Sequence, residues 1–240
     1  MKKIQFSQHR NFWQLHLFFP AIIAAFMVAV YPFTGWDQWF IAPYYSALAH
    51  AFPLRNDHFM QVVMHAGLKD VVIGAAMLVL AIFLLSFKVK KLMSYRRQSA
   101  WVLLGMVLAD SAVSLLKQQS IHACPWDLMQ YGGDKPWLSL FAVLPDGVAP
   151  GHCFPAGHAS AGFALMAFYF AMRDTKPVCA KFVLLFALAY GFVMGWAQMM
   201  RGAHFFSHTV WSAWVVWMVL FFLYLFWSPV GVKTKVQIQV

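Results

Sequence analysis

The sequence predicts an all-α integral-membrane bundle of six helices, and three observations carry that expectation. Hydrophobic side chains make up 62% of the 240 residues and charged ones 11%, against roughly a quarter charged in an ordinary soluble domain. Several apolar runs are long enough to cross about 30 Å of hydrocarbon. The basic residues fall into blocks between those runs instead of spreading evenly. A net charge of +10 would suit a nucleic-acid binder, but such a protein does not carry repeated membrane-length apolar segments, so nucleic acid is not an expected partner. All eight acids are Asp. That excludes mechanisms built on a glutamate pair or a HExxH zinc helix.

The chain reads as one domain, 1–240, with spans near 12–33, 70–87, 99–116, 156–172, 179–200 and 209–227. The first follows Lys2, Lys3 and Arg10, as a signal peptide would, but its apolar run exceeds a signal core and no small-x-small cleavage site follows, so it is read as retained. Residues 35–69 carry Trp36, Trp39, Phe40, Tyr44, Tyr45 and Phe52; they are too polar to span and too aromatic for a free linker. Amphipathic helices at the headgroups are expected there. Residues 117–155 form an outer loop. The Trp and Phe density from Trp211 to Trp227 reads as lipid-facing belt and bundle packing.

Lys2, Lys3, Arg10, Lys88, Lys90, Lys91, Arg96, Arg97, Arg173, Lys176, Lys181, Lys233 and Lys235 fall on one side of this arrangement, thirteen of the eighteen Lys and Arg. Basic residues resist translocation, so both termini are expected in the cytoplasm of a bacterial inner membrane, with three loops facing the periplasm. The polar residues concentrate oppositely. His50, His58, His65, His122, His152, His158, His204 and His208 lie on the outer side or in adjoining spans, and chemistry is expected on that face.

Three polar islands stand at outer span ends: Lys117 with His122, Cys124, Pro125 and Asp127; Pro155, Ala156, Gly157 and His158; and Arg201, Gly202, Ala203 and His204, followed by Ser207 and His208. Fixed cations beside imidazoles offer charge for an anion together with groups that attack or donate a proton near neutral pH. A phosphate ester meets those requirements.

The order and spacing resemble the type 2 phosphatidic acid phosphatase (PAP2) superfamily, whose signature runs Lys-x6-Arg-Pro, Pro-Ser-Gly-His and Ser-Arg-x5-His-x3-Asp. Lys117 and Pro125 match the first motif with Cys124 in place of arginine, and Pro155, Gly157 and His158 match the second with Ala156 for serine. In the third, Gly202 and His204 match, Ala197 and Gln198 replace Ser-Arg, and His208 replaces Asp. The resemblance implies His204 as a nucleophile forming a phosphohistidine, His158 as the leaving-group acid and Lys117 as a phosphate clamp. Arg201, three residues after Gln198, returns to nearly the same helix face and is the expected stand-in for the missing guanidinium. His208 either accepts from His204 as a neutral imidazole, or Asp110, Asp127 or Asp146 supplies the orienting acid. A second registration makes His208 the nucleophile behind Arg201, and Gly202 favours the first by fixing a local turn.

Asp110, two turns before Lys117, is either a packing partner or a charge placed beneath the site. Cys124 and Cys153 each adjoin a motif in the outer loop and are expected to form a disulfide. A zinc site from His122, Cys124, Asp127, His152 and Cys153 lacks CxxC or HxxxH spacing. No metal and no cofactor are expected. His16, His50, His58, His65, Met199 and Met200 read as packing or interfacial residues, and Ser160 as a backbone partner.

The expected activity is a metal-independent lipid phosphate or diphosphate phosphatase, or a phosphotransferase of the same chemistry. Two alternatives remain at this stage: a degenerate family member that binds lipid phosphate without turnover, and a haem or quinone subunit, for which most histidines lie too near span ends. The partners expected are the bilayer and its phosphorylated lipid; the sequence gives no oligomeric state.

Overall fold

A computed structural model describes residues 11–230; Lys2, Lys3, Arg10, Lys233 and Lys235 of the orientation argument lie outside the described residues. Among those described the architecture is helical, with two isolated bridges, Ser46 with Ala51 and Leu128 with Lys135. Five helices are long and apolar enough to cross a membrane: Asn11–Phe33, Met60–Leu85, Lys90–Gln118, Pro177–Met200 and Phe206–Phe226.

The first contains α1 (Phe19–Ala29), entered through a π turn, Gln14–Phe18. Pro20 has no N–H for the carbonyl of His16, four residues back. The Trp217 indole donates to that carbonyl at 3.1 Å, and Trp214 donates to Pro20 O at 3.0 Å. A helix-breaking residue thereby becomes the place where the first span is fastened to the last. The segment that follows folds as α2 (Trp36–Ile41) and short 3-10 turns.

The second crossing starts ten residues before the apolar window. Asp57 accepts the Met60 N–H at 2.9 Å, capping the helix. A π helix, Met60–Gly67, then runs into α3 (Leu68–Leu85). Residues 60–69, expected in the interfacial segment, are therefore helical, because a capped start tolerates the polar His65 and Lys69 that hydropathy counts against a span. The third crossing contains α4 (Arg96–Gln118).

The expected span at 156–172 is two seven-residue helices, α5 (Gly157–Phe163) and α6 (Met166–Met172). Between them Leu165, Ala167 and Phe168 donate to carbonyls three residues back, so the rod tightens to a 3-10 turn without stopping. It is sheathed by α4, α7 (Pro177–Met200) and α8 (Phe206–Phe226), and Ala159, Phe163, Met166, Ala167 and Phe170 are wholly buried. Gly162 meets Gly191 of α7 so closely that a Cβ on Gly162 would stand 2.8 Å from the Gly191 Cα. Small residues let backbones approach in apolar surroundings, and here they allow a polar-headed helix to occupy the middle of the bundle.

Candidate active site

Main-chain bonds stitch the three motif segments into a triangle at one end of this rod. Cys153 N donates to His122 O at 2.9 Å, and Cys124 and Cys153 are joined by a disulfide with Cα atoms 5.2 Å apart, which ties the first segment to the second. Trp126 N donates to Gly202 O at 2.9 Å, tying the first to the third. Ala156 N donates to His208 O at 3.2 Å, and the Ser212 hydroxyl donates to Ala156 O at 2.9 Å, tying the second to the third. Each corner is fixed by backbone, so the side chains inside it are held by the fold and not by one another.

Lys117, at the last turn of α4, lies over the start of α5: a Cβ on Gly157 would stand 3.6 Å from its Cδ and 3.9 Å from its Nζ. The next residue, His158, buries Nε2 with no hydrogen-bond partner. Behind it the Ser160 hydroxyl lies 2.8 Å from Asp110 Oδ1 and 2.6 Å from Gly157 O. Asp110 thus braces the turn that presents His158.

Gly202, at φ +76°, ends α7 in the left-handed region, and a Cβ there would run into the Phe52 ring. The turn delivers His204 and then α8, whose first turn carries His208. Both rings are buried, with Nδ1 facing Nδ1 at 3.4 Å. Burial, and then the positive charges of His208, Lys117 and His158, hold His204 well below the ordinary imidazole value of 6.5. The ring is neutral at pH 7. Its Nδ1 also lies 3.5 Å from the Cys153 sulfur. Cys153, His204 and His208 bring donor atoms within 4.8 Å of one another, but a disulfide sulfur has no thiolate to give a metal, and two imidazoles remain where zinc takes four ligands.

The remaining expected residues are placed differently. The Arg201 guanidinium donates to Arg55 O at 3.0 and 3.2 Å and to Gln198 Oε1 at 3.2 Å, on the His158 side of the site. Asp127 accepts the Asp134 and Lys135 amides with its main-chain carbonyl and organises the loop between α4 and α5. Asp146 is exposed. No hydrogen bond among the described residues carries either carboxylate to the histidines.

The acid that does approach is Asp37, which the sequence reading passed over. It accepts the N–H and the hydroxyl of Ser207 and the Tyr31 hydroxyl, capping α8 beside His208. Burial pushes its carboxyl above the ordinary 3.8, against the lowering effect of those three bonds. It lies 170 residues from Ser207 in sequence, and nothing in a motif points to it. A cavity of about 80 Å³ opens here, lined by Tyr31, Asp37, His122, Trp137, His208 and Trp211 among others. His65 was also missed; its ring stacks on His158 with centroids 4.2 Å apart and planes 8° from parallel. A signal existed, since His65 and Lys69 share one face of a helix at i and i+4, once the second span is extended to hold them.

No curated protein and no solved structure matches this chain. The family model of the PAP2 superfamily matches residues 98–230, more than half of the 240 and all three corners of the triangle. The chain belongs to the PAP2 superfamily, whose members are phosphatases acting on phosphate esters.

Proposed function

We propose that this protein is an integral-membrane phosphatase, or a phosphotransferase of the same chemistry, acting on a lipid phosphate or diphosphate at the extracytoplasmic face, the periplasmic side of a bacterial inner membrane. The observation that carries the reading is the backbone-stitched triangle: it gathers Lys117, His158 and a neutral, buried His204 at one end of an apolar bundle. The disulfide within it suits an oxidising compartment.

We count α5 with α6 as a sixth crossing. At one end His158 joins the site, while at the other Arg173 packs over the Phe12 and Tyr224 rings. From 157 to 172 the rod rises roughly 24 Å at 1.5 Å per residue, short of the full hydrocarbon depth because protein, not lipid, surrounds it. Six crossings would put both termini on one side, and the basic blocks around Lys88–Arg97 and Arg173–Lys181 favour the cytoplasm for that side.

In the proposed reaction His204 donates its Nδ1 proton to His208 Nδ1 and attacks phosphorus through Nε2. The bond from phosphorus to the lipid oxygen breaks, and His158 gives that oxygen its proton. Water then attacks the phosphohistidine, His158 takes a proton from the water, and as the P–N bond breaks His208 returns its proton to His204 Nδ1. Lys117 stabilises the charge on the phosphoryl oxygens throughout, so the protein residues suffice without a metal. The test is phosphate release from a panel of lipid phosphates by the purified protein in detergent with EDTA present. Activity that survives EDTA supports the reading; release abolished by EDTA and restored by a divalent metal contradicts it.

A further inference from the structure

The structure assigns His65, Gln198 and Arg201 a joint role: they form a positioning relay that holds His158 in plane and favours its protonated form. This rests on the reading of His158 as the leaving-group acid.

The relay can be followed proton by proton. Arg201 has only donors to offer, and its Nη1 donates to Gln198 Oε1 at 3.2 Å. That fixes the amide, because a flipped Gln198 would turn N–H against N–H. Gln198 Nε2 therefore donates to His65 Nδ1 at 3.1 Å, which must be the unprotonated nitrogen. His65 is thereby held neutral, since an imidazolium there would aim a second N–H at the amide. Its ring then lies flat on His158 and offers an electron-rich face to whatever charge His158 carries.

The surroundings make this contact matter. Lys69, Arg201 and His65 bear on His158 from the second crossing and α7, and Lys117 lies over the adjoining Gly157 from α4. Among the described residues no carboxylate hydrogen-bonds to His158, whose Nε2 is buried without a partner. The Met64 main chain, which hydrogen-bonds the ring, and the neutral stacked His65 are then what favour the imidazolium among cations. Gln198 is 3% exposed, so its amide is not a surface accident. His65 sits in the π helix Met60–Gly67, and such turns are rare and recur at functional positions. Gln198, at the position of a family arginine, keeps a function by passing Arg201 on to His65.

Leaving-group dependence tests the idea. An acid that protonates the leaving oxygen matters for an alkyl phosphate and hardly at all for a nitrophenyl phosphate, whose oxygen departs unaided. The full-length protein in detergent is assayed on two monoesters with the same hydrocarbon tail, one alkyl and one nitrophenyl. The readout for every variant here is the first-turnover rate of leaving-group release, which excludes the later step in which His158 acts as base. His65→Ala and Gln198→Met should lose on the order of 10²-fold in that rate on the alkyl ester, the lower range for an acid catalyst, and less than about threefold on the nitrophenyl ester. His65→Phe, which keeps a stacked ring but loses the Gln198 bond, should fall between. Nitrophenyl turnover also reports that each variant has folded. If His158→Asn discriminates between the esters while His65→Ala and Gln198→Met lose equally on both, or lose nothing, the relay is wrong and the site reading stands. Should His158→Asn itself lose equally on both, or the unaltered protein cleave neither, the site reading fails and the relay with it.

Discussion

Each end of this bundle buries a histidine among aromatic rings, yet the two ends treat its nitrogens differently. At the end away from the motifs His16 is 1% exposed, and both nitrogens are matched: Nδ1 to Phe12 O at 2.8 Å and Nε2 to the Tyr169 hydroxyl at 2.7 Å, between the Phe12 and Trp217 rings. At the motif end His204 is 5% exposed, so burial does not separate the two. What separates them is the company they keep. His204 faces a second imidazole, a lysine and a histidine whose Nε2 has no partner, and among the described residues no carboxylate hydrogen-bonds to any of the three rings. A satisfied imidazole is a fastening; neutral imidazoles gathered beside a lysine without a counter-charge are suited to receive an anion.

Exchanging the roles should produce the largest effects. His204→Ala is expected to remove turnover on the order of 10⁴-fold or more, as loss of a covalent nucleophile does, with little change in melting. His16→Ala should do the reverse, keeping kcat within a few-fold while destabilising by about 2–4 kcal/mol through the cavity and two abandoned partners. Comparable loss of kcat from both variants would erase the distinction.

Lys117→Ala should cost about 10² to 10³ in rate, the effect of losing one transition-state donor. Arg201→Ala and Gln198→Ala are expected to resemble one another instead of differing widely, because the guanidinium reaches the site through the Gln198 amide. Steady-state kinetics on one lipid phosphate decides this.

The triangle itself can be loosened. Replacing Cys124 and Cys153 together by Ser should lower stability by about 2–4 kcal/mol, read as a denaturation midpoint, and should cost activity because the corners carrying Lys117 and His158 drift apart.

The smallest effect is a pH dependence. A His204 pKa held below 6.5 means that the unfolded chain takes up its proton first. The contribution is fully present above 6.5 and is lost as pH falls from 6.5 toward the folded-state value. The melting midpoint should therefore drop on that side, and His204→Gln should flatten the drop. A curve unchanged by His204→Gln would show that the ring is not held neutral.

How far the sequence carried follows from the same physics. Apolar runs reveal spans wherever lipid is the solvent, and the three motifs reveal the corners of the triangle because each is contiguous. Asp37 escaped because the residue that ties it to the site, Ser207, lies 170 residues away, and a hydrogen bond leaves no periodicity. His65 escaped because hydropathy penalised the polar start of the second helix, which Asp57 caps. The rod at α5 and α6 looked like an ordinary span because its burial by protein is invisible to a scale that scores only transfer from water. Arg201 stands on the expected helix face, but its guanidinium turns to a main-chain carbonyl, and side-chain direction is not written in spacing.

The central claim is that the triangle makes His204 a covalent nucleophile. It is tested most directly by rapid acid-free quenching of a ³²P-labelled lipid phosphate turnover, followed by peptide mapping. The account expects an acid-labile phosphate on the peptide bearing His204, absent from His204→Ala and retained by His208→Asp, whose carboxylate can accept the imidazole N–H. Label on His208, or a phosphoenzyme that persists in His204→Ala, would contradict it.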